Sequence, residues 1–225
     1  MKAKFGSFMV DGRGKVNGHV VSKNRAGSYV RTKVTPVNPR TAQQLGVRSR
    51  LTSLSTGWRG LTQPQRASWN SAVRNFVRTD IFGDLKTPSG FNLYQSLNGN
   101  LLKAGQAQIT TAPNPAAVAI VNIGALTLTV AGGVVSLALS GPVPAGVTCV
   151  VKATAPLSAG ISFVKTQLRQ LATFAPATAS PLVLTAAYAA RFGAFSAGQR
   201  IFVSIQFVNN LTGQNSTEQI TSAVA

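Results

Sequence analysis

Ile201-Phe-Val-Ser-Ile-Gln-Phe-Val208 alternates without a break, with Ile201, Val203, Ile205 and Phe207 on one side of an extended chain. Successive side chains of a strand point to opposite faces, so this stretch predicts a strand with one face in an apolar core. Outward from it, the same reading predicts strands over 125–130, 134–139, 148–153, 170–174, 182–184, 200–208 and 216–223. Gly132-Gly133, Gly141-Pro-Val-Pro-Ala-Gly146, Ala175-Pro-Ala-Thr178 and Asn209-Asn-Leu-Thr-Gly213 supply turn chemistry between them. Short strands at this spacing suggest an immunoglobulin- or fibronectin-like β-sandwich over residues 116–225. Thr185-Ala-Ala-Tyr-Ala-Ala-Arg-Phe-Gly193 is alanine-rich and is expected as a single helical crossover.

Upstream of the expected sandwich, residues 105–115 hold Pro113 and Pro115 in a polar stretch that cannot continue a helix, and they read as a linker. Residues 1–104 then form a basic hairpin and helical domain. Gly14 to Val34 reads as a two-stranded ribbon whose basic tip is Lys23-Asn-Arg-Ala-Gly27. Thr35-Pro-Val-Asn-Pro39 is a rigid extended connector, because each proline removes a donor and restricts its predecessor. From Thr41 the period becomes helical, with Leu45, Arg48, Leu51, Leu54, Trp58 and Leu61 on one expected face and Gly57 and Gly60 weakening its end. Thr62-Gln-Pro-Gln65 has the pattern of a capping box, and Trp69, Val73 and Phe76 form the stripe of a second helix behind it. A third helix runs from Ser89 as cap through Leu93, Tyr94, Leu97 and Leu101 to Gly105. The expected fold class is therefore α+β: a β-hairpin arm and a three-helix segment followed by the sandwich.

Chemistry is narrowed by composition. The 225 residues carry 22 Lys+Arg against 4 Asp+Glu, a formal charge of +18. The acidic inventory is Asp11, Asp80, Asp84 and Glu218, with one histidine, His19, and one cysteine, Cys149. Paired-carboxylate chemistry has only these four acidic residues to draw on, a zinc site built from cysteine and histidine would need more than the one of each present here, and an intrachain disulfide needs a second thiol. Asp80 and Asp84 stand beside Arg78 and Lys86, a charge-satisfied turn rather than a metal site. Gly12-Arg-Gly-Lys15 lacks the Walker pattern, since Val16 follows where Ser or Thr is required. His19 has only Asp11 as a nearby carboxylate for a catalytic triad. Cys149 within Val-Thr-Cys-Val-Val reads as a small buried hydrophobe. No cofactor is implied and no enzyme is expected. The apolar runs fall far short of the roughly 20 residues that span a bilayer, so no membrane partner is expected. The basic N-terminus meets Asp11 and Gly12 before a signal-length apolar stretch, so secretion by the main signal pathway is not expected either.

Of the basic residues, 17 precede residue 104, where they meet 3 acidic ones. That local charge of +14 favours a polyanion or an acidic partner. The candidate contacts are Arg13, Lys15, Lys23, Arg25, Arg31, Lys33, Arg40, Arg48 and Arg50, with Arg59, Arg66, Arg74 and Arg78 further along. Reading of a DNA sequence is not expected: Gln63, Gln65 and Arg66 could face a groove, but Trp58, Leu61, Trp69 and Phe76 are better explained as a staple between two helices.

Three stretches carry a resemblance: Gly14-Lys-Val-Asn-Gly-His-Val-Val-Ser22, the run Tyr29-Val-Arg-Thr-Lys-Val-Thr-Pro-Val-Asn-Pro-Arg-Thr-Ala-Gln-Gln-Leu-Gly-Val-Arg-Ser49, and Trp58-Arg-Gly-Leu-Thr-Gln-Pro-Gln-Arg-Ala-Ser-Trp69. Together with Phe82-Gly-Asp-Leu-Lys-Thr-Pro-Ser-Gly-Phe-Asn-Leu-Tyr94 they resemble a family of tailed-bacteriophage virion proteins over roughly residues 10–102. The resemblance implies a structural component of the particle, with no catalytic residue to carry over. Its partners would be copies of itself and other virion proteins, and it would assemble in the host cytoplasm into capsid, neck or tail. The alternative is a sequence-nonspecific nucleic-acid-binding or packaging protein, to which the basic residues would also be suited.

Overall fold

A computed structural model describes residues 12–24, 27–79 and 85–225. The chain divides into two compact units, Met1–Leu45 and Gly46–Ala225. Among the described residues it is mixed α+β, with four α-helices and several sheets, none closed into a barrel.

In the first unit, β1 (Gly14–Val16), β2 (His19–Asn24) and β3 (Gly27–Thr32) form a three-stranded antiparallel sheet in that order. The expected two-stranded ribbon is thus corrected to a meander. Asn17-Gly18 makes the first reversal, with Asn17 at φ 48°, the left-handed backbone that asparagine and glycine tolerate in two-residue hairpin turns. Arg25 and Ala26, at the expected tip, lie outside the described residues.

α1 (Ala42–Gly60) follows the extended connector, and the boundary between the units falls within its first turn. Its expected apolar face is realised only toward the C-terminal end: Leu54 and Leu61 are buried, whereas Leu45 and Leu51 are 50% and 49% exposed. Helical spacing tells which residues share a face; whether a neighbour covers that face depends on the rest of the fold. α2 (Gln63–Ala72) starts as expected, the Thr62 N–H donating to Gln65 Oε1 at 2.9 Å, and passes into a 3₁₀ turn at Val73–Phe76. β4 (Arg78–Thr79) pairs with β5 (Leu85–Lys86), and Asp80 and Asp84 lie outside the described residues. α3 (Gly90–Lys103) is capped by Ser89, whose side chain accepts from the Asn92 N–H at 3.2 Å, and ends before Gly105 at φ +75°.

The three helices enclose a core of Leu54, Leu61, Trp69, Leu93, Tyr94 and Leu97. Trp69 meets Tyr94 edge-on at 5.2 Å, and Trp58 lies 5.4 Å from the same ring. A Cβ on Gly57 would lie 2.6 Å from the Tyr94 hydroxyl, so this glycine admits Tyr94 to the helix surface and α1 runs on through it to Gly60. The expected linker 105–115 lies inside the second unit and is bonded to these helices. Trp69 Nε1 donates to Thr110 O at 2.9 Å, Ile109 N to Asn98 Oδ1 at 2.7 Å, and the Tyr94 hydroxyl to Gln108 Oε1 at 2.9 Å.

The remaining strands form two antiparallel sheets. In one, β11 (Leu182–Val183), β7 (Val134–Leu139) and β6 (Ile123–Thr129) lie side by side. In the other the order is β10 (Arg169–Phe174), β8 (Val147–Ala153), β12 (Gln199–Asn209) and β13 (Gln219–Val224), with β9 (Leu157–Ser158) pairing the start of β12. α4 (Thr185–Phe192) connects β11 to β12, where the alanine-rich crossover was expected. Ile201, Val203, Ile205 and Phe207 meet Val135, Leu137, Leu139, Cys149 and Val151 in one core. Tyr188 of α4 closes it, its hydroxyl donating to Thr154 O at 3.0 Å.

β8 and β12 are buried on their outer side as well. Val150 and Val208 pack with Ala104 at the end of α3, and Asn100 Nδ2 donates to Gly213 O at 2.9 Å. Gly213 has φ +70°, and a Cβ there would collide with the Leu97 carbonyl. Helices and sheets of the second unit are thus packed together.

Candidate functional site

The meander separates its side chains by chemistry. Its register sets Lys15 opposite Val20 and Val20 opposite Arg31, with Ser22 opposite Tyr29. Alternation therefore places Lys15, Arg31 and Tyr29 on one face with Val20 and Ser22. The Lys33 N–H donates to Gly18 O at 2.7 Å, which continues the ladder and puts Lys33 on the side of Arg31. The opposite face carries Val16, Val21 and Val30 with His19 and Thr32. Val16 is 59% exposed, and no residue of 12–45 whose burial is described is buried. Among the described residues, Lys15, Arg31 and Lys33 make no ion pair.

Three of the nine expected contacts are thereby gathered onto one surface: Lys15, Arg31 and Lys33. Arg13 is exposed just before β1, and Lys23 lies near the end of β2 with the parity of the valine face. Arg40 sits in the connector at φ 47°, its N–H donating to Asn38 Oδ1 at 3.3 Å. Arg25 lies outside the described residues. Arg48 and Arg50 are on α1 in the second unit, Arg48 exposed and Arg50 half-buried.

In the second unit a groove of about 390 Å³ lies between α1 and α3, its apolar wall made by Val47, Leu51 and Leu54 and its cations by Arg50 and Lys103. Partial desolvation, then the charges of Arg50 and Lys152, hold the Lys103 pKa below the usual lysine value. Lys103 was not marked by the charge pattern of the basic half, where the hairpin and first helices hold the cluster. The available signal was the spacing Gln95, Gly99, Lys103 along one face of α3, facing α1 residues whose apolar side chains exceed what the core absorbs.

Cys149 is buried, as expected, and burial pushes its thiol up to about 12, which removes thiolate chemistry at neutral pH. On the outer side of the larger sheet, Glu218 accepts from Lys152 Nζ at 2.6 Å and from the Ser204 hydroxyl at 2.9 Å. Among the described residues no three His, Cys, Asp or Glu side chains converge as metal ligands, and no helix is long and apolar enough to cross a membrane. The chain matches no protein-family model, no curated protein and no solved structure.

Proposed function

We propose that this chain is a non-enzymatic structural component of a bacteriophage virion, in capsid, neck or tail, assembling in multiple copies through its basic N-terminal half. The observation that carries this reading is the meander: three strands with a valine face, an edge at β1 with no partner strand among the described residues, and no buried side chain among its described burial values. A lone sheet of this size is well below the roughly 40 residues under which a disulfide, a metal or oligomerisation is usually needed. A sheet edge is a template that a neighbouring subunit can extend by adding a strand. Head-to-tail repetition of such a contact gives a ring where the rotation closes and a filament where it does not. The resemblance over roughly residues 10–102 supports the same class.

The second unit fits the role of a presented surface. We read its two sheets as an immunoglobulin- or fibronectin-like sandwich: β6, β7 and β11 correspond to the first, second and fifth strands on one sheet, β8, β12 and β13 to the third, sixth and seventh on the other. β10 pairs with β8 rather than with β11, a departure from the constant-type arrangement in which the fourth strand joins the fifth. The test is mass spectrometry of purified particles. The chain should be present in many copies per particle, and its absence from them would contradict the reading.

A second reading, a nucleic-acid-binding protein, is favoured by the face that gathers Lys15, Arg31 and Lys33 around Tyr29. Cations around an aromatic platform suit a nucleic-acid backbone and its bases. Three phosphate contacts would give log K a slope of about −3 against log salt. Replacing all three cations by alanine should flatten that slope, whatever the sequence of the duplex.

A further inference from the structure

We propose that the groove between α1 and α3 is the docking site for an acidic amphipathic helix of another protein. The inference is independent of the virion reading, since it concerns a surface of the second unit alone.

Three observations carry it. The first is the unfilled apolar wall: Val47, Leu51 and Leu54 recur along α1 at the spacing of one helix face, and Val47 and Leu51 are about half exposed. That is the pattern of anchors by which an amphipathic helix is received in a groove. The second is Gly99, in the interior of α3 on the groove lining. Glycine weakens a helix interior, and at Gly57 the nearby Tyr94 hydroxyl explains it. At Gly99 no neighbour does, because an added Cβ would meet nothing nearer than Leu54 Cδ1 at 3.8 Å. The missing side chain leaves the floor open for something outside the fold. The third is charge. Arg50 is half-buried in the lining and makes no hydrogen bond or ion pair among the described residues, and Lys103 at the rim is crowded by Arg50 and Lys152.

These charges choose the occupant. An apolar stripe flanked by carboxylates would fill the wall and neutralise Arg50 and Lys103 together. A second copy of this chain supplies no such segment. Its four acidic residues are Asp11, Asp80, Asp84 and Glu218; the first three have Arg13, Arg78 and Lys86 within two residues in sequence, and the last is paired with Lys152.

The test uses the full chain and synthetic helical peptides of about five turns, roughly 18 residues. Each carries leucines at i, i+4 and i+7, with flanks of glutamate, of lysine, or of the glutamate composition scrambled, and binding is followed by fluorescence anisotropy. The glutamate peptide should bind at least about tenfold tighter than the other two. Gly99→Leu, which fills the floor, should remove about that factor while the melting temperature holds or rises. Leu51→Glu, at a half-exposed position, should do the same. The proposal is overturned if the scrambled peptide binds as well, if a folded Gly99→Leu or Leu51→Glu protein keeps wild-type affinity, or if short duplex DNA or a second copy displaces the glutamate peptide.

Discussion

Residues 46–225 bury Trp69, Tyr94, Tyr188, Phe207 and a run of leucines and isoleucines, whereas no residue of 12–45 with a described burial is buried. Both regions contain antiparallel strands with valines in register, so strand formation is not the difference. In the second unit two sheets and four helices cover one another, and each fully buried large apolar side chain contributes about 1.5–3 kcal/mol. In the first a single sheet carries Val16, Val21 and Val30 on one face and Lys15, Arg31, Lys33 and Tyr29 on the other, and no residue of either face with a described burial is buried. On the proposed reading the first unit is completed from outside by a neighbouring subunit, whereas the second buries a core of its own.

That contrast breaks most readily at Trp69. Trp69→Ala removes a fully buried ring, its edge-on contact with Tyr94 and its bond to Thr110 O, and should cost about 3–5 kcal/mol of unfolding free energy in a denaturant titration. Ser89→Ala should cost about 1 kcal/mol through loss of the α3 cap, read in the same titration.

Acid titration sharpens the account further. Burial raises the Glu218 pKa, but hydrogen bonds from Lys152 and Ser204 and the charges of Lys152 and Lys165 outweigh it, so the net value lies below the ordinary 4.5. A carboxylate with a depressed folded-state pKa contributes stability above its unfolded value and loses it as pH falls through the folded one. The melting temperature should therefore fall more between about pH 5 and about pH 3 in the wild type than in Glu218→Gln. The smallest effect is expected in the meander, where Val21→Ser should change the unfolding free energy of the monomer by no more than about 0.5 kcal/mol.

Where structure follows from local chemistry, it was legible. Alternation and glycine-proline turns located the strands of the second half to within a few residues, except the two-residue β9, and Ser89 and Gly105 bracketed α3 as expected. Three features escaped because their causes are distant or short. The Asn17-Gly18 turn makes β1 from only three residues, too few for a period to register. The 105–115 segment is bound by Ser68, Trp69, Tyr94 and Asn98, partners that its prolines and polar composition cannot announce. The α1 stripe was visible, but the cover over its N-terminal half is missing from the described chain, and no periodicity tells covered from uncovered. Of the basic residues, only the register of β1, β2 and β3 could sort Lys15, Arg31 and Lys33 onto one face.

Hydrogen–deuterium exchange of the full chain, compared between monomeric and assembled samples, tests most directly whether the meander is completed by a partner. The β1, β2 and β3 amides should exchange rapidly in the monomer and gain protection on assembly, while β8 and β12 stay protected in both. Protection of the meander in the monomer equal to that of β12, or no gain on assembly, would contradict it.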